Sequence, residues 1–411
     1  MNRTVNTTLA LALAAAALPQ VAQAQVVLTP TQDFDYSDVG RVAFPAAADF
    51  NGDGFQDIIV APDASPYDVY VLTNDGAGGF TESATIASNA GTGAFRLITG
   101  DVNGDSNQDF IFVTHPVAGL PSPIFLGDGQ GGFTRSGSAV GSTDCKLIDW
   151  DQDGDLDFLS TNGGPTVGIY LNDGSGAFGN PITYRGTLDV LQSAEVADFD
   201  QDGDLDLYVV GGWEVNSQIW WMENGEFVDT TDLAADTINY FAAIGDLTGN
   251  GVMDIVSGWG ANNGSAGSGP FYTFTNDGAG NFTELPVGLS GAAEVWSSHL
   301  GNLDGDDTLD WVVSGNVHPA ILTGNGDGTF SDNGDISLSR FGLIVTDLNN
   351  DGLDDVVHTT GNSGTMHILI NQTASGSGPS CSTTPGGSTS AAALSLLLGA
   401  LFVGGLRRRV S

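Results

Sequence analysis

The stretch Asp149-Trp150-Asp151-Gln152-Asp153-Gly154-Asp155-Leu156-Asp157 holds residues that could do chemistry by type and by spacing. Asp stands at positions 1, 3, 5 and 9 of this nonapeptide, and Gly at position 6. Alternate carboxylates in a tight turn can converge on one hard cation, and the Gly permits the positive φ that such a turn needs. Calcium suits this set, because it takes about six to eight oxygens in a flexible shell. Positions 1, 3, 5 and 9 would give side-chain oxygens, and position 7 its backbone carbonyl.

The same spacing recurs. Reading positions 1, 3, 5 and 9, loop 1 is Asp49, Asn51, Asp53 and Asp57, and loop 2 is Asp101, Asn103, Asp105 and Asp109. Loop 3 is the stretch above, with Asp149, Asp151, Asp153 and Asp157, and loop 4 is Asp198, Asp200, Asp202 and Asp206. Loop 5 is Asp246, Thr248, Asn250 and Asp254, loop 6 is Asn302, Asp304, Asp306 and Asp310, and loop 7 is Asp347, Asn349, Asp351 and Asp355. Their starts are 45 to 56 residues apart. One match is weak, but seven at near-constant spacing define a repeat architecture. The set has room for up to seven calcium ions. Loop 5 keeps only two carboxylates, and loops 2 and 6 have Ser106 and Asp307 where the others have Gly. An EF-hand is excluded, because position 12 is Ser160 or Val209 rather than Glu and the flanks read as strands.

Each loop is preceded by a short run of small or apolar residues and followed by a strand-like run such as Asp57–Val60 or Asp206–Val210. Call these strands A and B. A third run, C, leads to Asn-Asp-Gly turn chemistry at Asn74, Asn172 and Asn276. A Phe then opens strand D, as in Phe80, Phe178 and Phe282, with Phe133, Phe227 and Phe330 in the same slot elsewhere. Four antiparallel strands repeated seven times predict an all-β, seven-bladed propeller over residues 25–373. Small side chains place strand A innermost. The seventh repeat ends at Asn371 without its fourth strand, so Val26–Phe34 is expected to supply it and close the ring.

With Asp-x-Asx-x-Asp-Gly-x-x-Asp between strands and Asn-Asp-Gly-x-Gly-x-Phe further on, residues 26–373 resemble the FG-GAP/VCBS repeats of integrin-α-like propellers. The resemblance implies calcium at positions 1, 3, 5, 7 and 9. It also implies an extracellular setting.

The ends of the chain agree with that setting. Residues 1–24 read as a secretory signal: Arg3, an apolar stretch from Leu9 to Leu18, and a small-residue cleavage site at Ala22-Gln23-Ala24. Residues 374–390 form a Ser/Gly/Thr/Pro linker, and residues 391–411 an apolar tail ending in Arg407, Arg408 and Arg409. This tail resembles bacterial sorting tails of the MYXO-CTERM and GlyGly-CTERM types. The resemblance implies cutting near Cys381 or Gly387, with retention as a membrane anchor as the alternative. The protein is expected at the bacterial cell surface or outer membrane, or outside the cell.

There are 50 acidic and 10 basic residues, and Lys146 is the sole lysine. Nucleic acid is excluded as a partner, since binding it takes clusters of Lys and Arg. No nucleophile elbow, His-Glu-x-x-His or phosphate loop occurs. No catalytic residue is assigned, and a binding or adhesion module for a protein or glycan is favoured. The alternative is an extracellular carbohydrate lyase or hydrolase, because two convergent carboxylates could serve it. The A–B and C–D turns fall at one end of the ring. The ligand surface is therefore expected at the other end, where the loops carry Trp213 and Trp259.

Overall fold

Strand B shows why this sequence must stack its repeats. Its residues are buried without alternation in Asp57–Val60, Asp109–Val113 and Asp157–Thr161, so each B strand has protein on both faces. In blade 1, Ile58 and Val60 pack against blade 7, whereas Ile59 packs against blade 2. The computed structural model describes residues 25–373 apart from 41, 43–44, 63–64, 66, 117–118, 212–216, 234–238, 260–270, 288–294, 316–319, 336–341 and 361–362. The signal segment, the linker and the C-terminal tail lie outside the described residues, as does Trp213.

Seven four-stranded antiparallel sheets make the expected seven-bladed propeller. The innermost strands A are Ala46–Ala48, Arg96–Gly100, Asp144–Ile148, Leu191–Ala197, Asn239–Gly245, Val295–Gly301 and Leu343–Thr346. Each touches strand A of both neighbouring blades, which fixes a common axis. Seven apolar clusters fill the seven seams between blades, and no blade has a core of its own. The Phe that opens strand D packs into the seam with the preceding blade. Phe133 meets Phe50 at 5.3 Å, and Phe282 meets Phe199 at 5.8 Å.

Leu28–Asp35 pairs antiparallel with Thr365–Asn371 and completes blade 7, in register from Leu28 opposite Asn371 to Asp35 opposite Thr365. The strand starts two residues later than the expected segment and ends one residue later. Gln32 ties this strand to blade 1: its amide donates to the Phe80 carbonyl at 2.7 Å and accepts from the Phe80 N–H at 2.9 Å. The first and last blades are thus joined by side-chain bonds as well as by packing.

Candidate metal centre

All seven loops join strand A to strand B, and three features hold each in shape. Position 2 is an apolar plug: Phe50, Val102, Trp150, Phe199, Leu247, Leu303 and Leu348 are all buried in the seams. Position 9 opens strand B and is buried in every copy. One oxygen of the position 9 Asp accepts the N–H of position 2, and the other accepts the N–H at the end of strand C. For Asp157 these bonds come from Trp150 at 3.0 Å and Asn172 at 2.7 Å. Asp57, Asp109, Asp206, Asp254, Asp310 and Asp355 repeat the pattern. A buried N–H must find a partner, and this carboxylate serves two of them per blade.

The third feature is the turn itself. In every loop the position 5 side chain accepts the N–H of position 7, as in Asp153 from Asp155 at 3.0 Å. Position 6 has positive φ throughout, from Asp307 at 66° to Gly154 at 100°. Ser106 and Asp307 take this conformation despite their side chains, so loops 2 and 6 keep the common backbone. Position 4 is left-handed in all seven copies as well, a feature the sequence reading missed.

The loops differ in how their oxygens are used. Where position 3 is Asn, its amide donates to the position 5 carboxylate: Asn51 to Asp53 at 2.9 Å, and Asn103 to Asp105 and Asn349 to Asp351, both at 3.0 Å. Loops 3 and 4 have Asp there and cannot make this bond. Instead, oxygens of Asp149, Asp151 and Asp153 lie within 4.8 Å of one another, and so do those of Asp198, Asp200 and Asp206. Asp149 Oδ1, Thr248 Oγ1 and Asp304 Oδ2 are buried oxygens with no hydrogen-bond partner. Such atoms are costly unless something occupies them. The set is all oxygen and mostly anionic, which is the donor chemistry of a hard divalent cation.

Electrostatics point the same way. Burial pushes the carboxyls of Asp57, Asp109 and Asp157 up to about 6, and those of Asp206, Asp310 and Asp355 to about 7. The hydrogen bonds from backbone N–H groups oppose this shift, and the neighbouring loop carboxylates add to it. A bound cation would relieve the shift.

The expected donors at positions 1, 3, 5 and 9 all lie among the described residues, and among these only Asp149, Asp151 and Asp153 of loop 3 and Asp198, Asp200 and Asp206 of loop 4 are brought together as groups of three carboxylates. The expected ligand face is different. Trp259 ends strand Asp254–Trp259, with its backbone opposite Asn239, and its side chain lies outside the described structure. At the metal end, the Asn of the Asn-Asp-Gly turn does more than turn the chain. Asn172 Nδ2 donates to Val102 O of loop 2 at 2.8 Å and to Leu156 O at 3.0 Å, while its carbonyl accepts from Gly174 and Gly176. Asn74, Asn276 and Asn371 likewise reach the position 2 carbonyl of the preceding loop.

The axis holds a second polar cluster that sequence reasoning missed. Arg96 pairs with Asp144 at 2.8 Å, and Lys146 with Glu195 at 3.0 Å. Asp144 also accepts from Ser193 Oγ at 2.8 Å. Against the cost of burial, Lys146 and Arg96 hold the Asp144 carboxyl below its ordinary range. Burial, then Arg96 and Lys146, push the His299 imidazole down to about 4. Cys145, between Asp144 and Lys146, is buried, and burial pushes its thiol up to about 12. A nucleophile needs the thiolate, so this cysteine is a packing residue.

A family model described as an FG-GAP-like repeat matches residues 49–112, 149–209 and 198–257. Residues 49–112 and 149–257 therefore carry FG-GAP-like repeats. The three matches cover loops 1 to 5. No curated protein matches the chain. Among solved structures, a lectin of Agrocybe aegerita, described in terms of its recognition of non-reducing terminal N-acetylglucosamine, is 20% identical with a TM-score of 0.52. That match covers 72% of this chain and 81% of the lectin. BBS1N, in its complex with ARL6DN, is 9% identical with a TM-score of 0.57, over 85% of this chain and 99% of the other. At these identities the chain shares the propeller fold with both, and the likeness extends no further.

Proposed function

We propose that this chain is an exported, calcium-stabilised propeller that acts as a binding module for a protein or glycan. The observation that carries the calcium reading is loop 3. There three carboxylates converge within 4.8 Å, and Asp149 Oδ1 is buried with no partner. Calcium would be held by Asp149, Asp151, Asp153 and Asp157, with the Asp155 carbonyl, and by the matching residues of the other loops. Once bound, it neutralises carboxylates that otherwise repel one another and makes one end of the ring rigid. The opposite end is then free to carry recognition.

Export rests on the signal-like residues 1–24, and surface retention on the linker and tail. Among the described residues no helix is long and apolar enough to cross a membrane. The uncharged run 391–406 is therefore the anchor this reading needs. Trp213 and Trp259, which the sequence reading assigns to the face away from the metal loops, are the proposed contacts. The lectin shows that a propeller of this general fold can present a glycan site.

The test is a glycan and protein array probed with the mature protein, with calcium and with EDTA. Calcium-dependent capture of one ligand class is expected, weakened in Trp213→Ala and Trp259→Ala at unchanged melting temperature. Full capture by both variants refutes the proposed face. Melting that is unchanged by EDTA refutes calcium stabilisation.

A further inference from the structure

Loops 3 and 4 are neighbours on the ring, and each places three carboxylates together. A side chain joins them: Gln152 Nε2, from position 4 of loop 3, donates to Gly203 O, at position 6 of loop 4, at 2.8 Å. The same contact recurs at the ring closure, where Asn350 Nδ2 of loop 7 donates to Gly54 O of loop 1 at 3.3 Å. Position 4 is left-handed in every loop, and loops 1, 2, 5 and 6 use Gly there. Gln152 and Asn350 hold φ of 58° and 56°, a conformation that disfavours side chains. Gln201 of loop 4 holds the same conformation at 60°; of the three, Gln152 and Asn350 reach the next loop by the bonds above.

We propose that loops 3 and 4 take up calcium as a coupled pair, with Gln152 carrying the coupling; this rests on the calcium reading above. Gly203 lies between Asp202 and Asp204, a side-chain and a backbone donor of loop 4. A metal that orders loop 4 fixes the carbonyl that Gln152 needs. A held Gln152 fixes the left-handed turn between Asp151 and Asp153, and so preorganises loop 3. Electrostatics act in the other direction, because a first cation lowers the negative potential felt by the second. That effect is screened over about 8 Å at physiological ionic strength, whereas the hydrogen bond is not. Coupling of on the order of fivefold is therefore expected.

The full-length protein is titrated with calcium by calorimetry and with terbium by luminescence. Trp150, at position 2 of loop 3, is the sensitiser, and Trp150→Phe identifies its share of the emission. Loop 4 is disabled with Asp200→Ala and Asp202→Ala, in the wild type and in Gln152→Gly. Gly is chosen because it takes the left-handed turn without strain. Disabling loop 4 should weaken loop 3 by about fivefold when Gln152 is present, and by less than about twofold in Gln152→Gly. An equal loss in both backgrounds overturns the role of Gln152, and no loss in either overturns the coupling; both leave the calcium reading standing. Absence of calcium heat and terbium emission in every protein overturns the calcium reading itself.

Discussion

Lys146→Met removes the one lysine of the chain from the propeller axis and leaves Glu195 facing a thioether of similar length. The Lys146–Glu195 contact is 3.0 Å, with side-chain exposures of 26% and 11%, so the pair is mostly but not fully withdrawn from water. Breaking a fully buried pair by removing one partner costs about 3–5 kcal/mol, and an exposed pair is worth about 0–1 kcal/mol. The partial exposure places the expected loss at about 2–3 kcal/mol. At about 2.1 cal/mol/K per residue over about 350 residues, that lowers the melting temperature by roughly 3–4 °C. Against the cost of burial, the Glu195 and Asp144 carboxylates hold the Lys146 ammonium above its ordinary range, while burial, opposed by Lys146, holds the Glu195 carboxyl above its own. Lys146→Met/Glu195→Leu removes both charges. Because a buried pair replaced by apolar groups is often neutral, this variant should melt within about 1 °C of wild type. Circular dichroism melts in saturating calcium decide the matter. A single variant that melts like wild type, or a double variant as unstable as the single one, would refute the reasoning.

Three further outcomes are expected. In the metal-free protein the position 9 carboxyls are raised above their ordinary 3.8, those of Asp57, Asp109, Asp157, Asp206, Asp310 and Asp355 to about 6 to 7. A raised folded value stabilises fully below 3.8, and the benefit is lost as pH climbs through 6 to 7. EDTA-treated protein should therefore gain melting temperature between pH 7.5 and pH 5, while the shift produced by calcium should be larger at pH 7.5; equal calcium shifts at both pH values would argue against this. Asn172→Ala deletes an amide that donates across the seam to Val102 O of blade 2 and, within blade 3, donates to Leu156 O and accepts from Gly174 and Gly176. The loss is expected at about 2–3 kcal/mol, read by denaturant melts, and a variant within about 0.5 kcal/mol of wild type would show the seam does not depend on it. A chain beginning at Ser37 lacks the closing strand and exposes the edge of Thr365–Asn371; it should aggregate on gel filtration, and a monomer that melts like the full propeller would refute closure by Leu28–Asp35.

The repeat, the blade and the closing strand could be read from the chain because each is written in short-range spacing. Asp, Asn and Gly at fixed offsets mark the turn between strands A and B, and the missing strand D after Asn371 leaves one place for Leu28–Asp35 to go. The shared duty of Asp157 could not be read that way. Its type and position suggest a metal donor, but its partner Asn172 lies 15 residues on, and the need for both bonds arises only from burial. Asn172 similarly looks like plain turn chemistry until blade 2 stacks against it. Gln152 and Gln201 hold the same position 4 in loops 3 and 4, and nothing in that repeat tells that the Gln152 amide crosses to Gly203 of the next loop.

The axial cluster marks a different limit, since it was present in the sequence in a form that one-repeat reading overlooks. Asp144 and Ser193 are 49 residues apart and bonded. Lys146 and Glu195 are separated by the same interval, one repeat, and pair across adjacent strands A. In a ring of stacked blades, matching slots of successive repeats become neighbours, so opposite charges one repeat apart predict an ion pair as surely as i, i+4 charges do on a helix. By the same rule, the small residues Ala47 and Ala243 in other strands A mark where blades approach without such a pair. The axis is thus specified by polar register across blades 2, 3 and 4. The seams are specified by shape, and the loop end by clustered carboxylates. On the proposed calcium reading, the position 9 aspartates, which open strand B and end the loop, would couple folding to metal uptake.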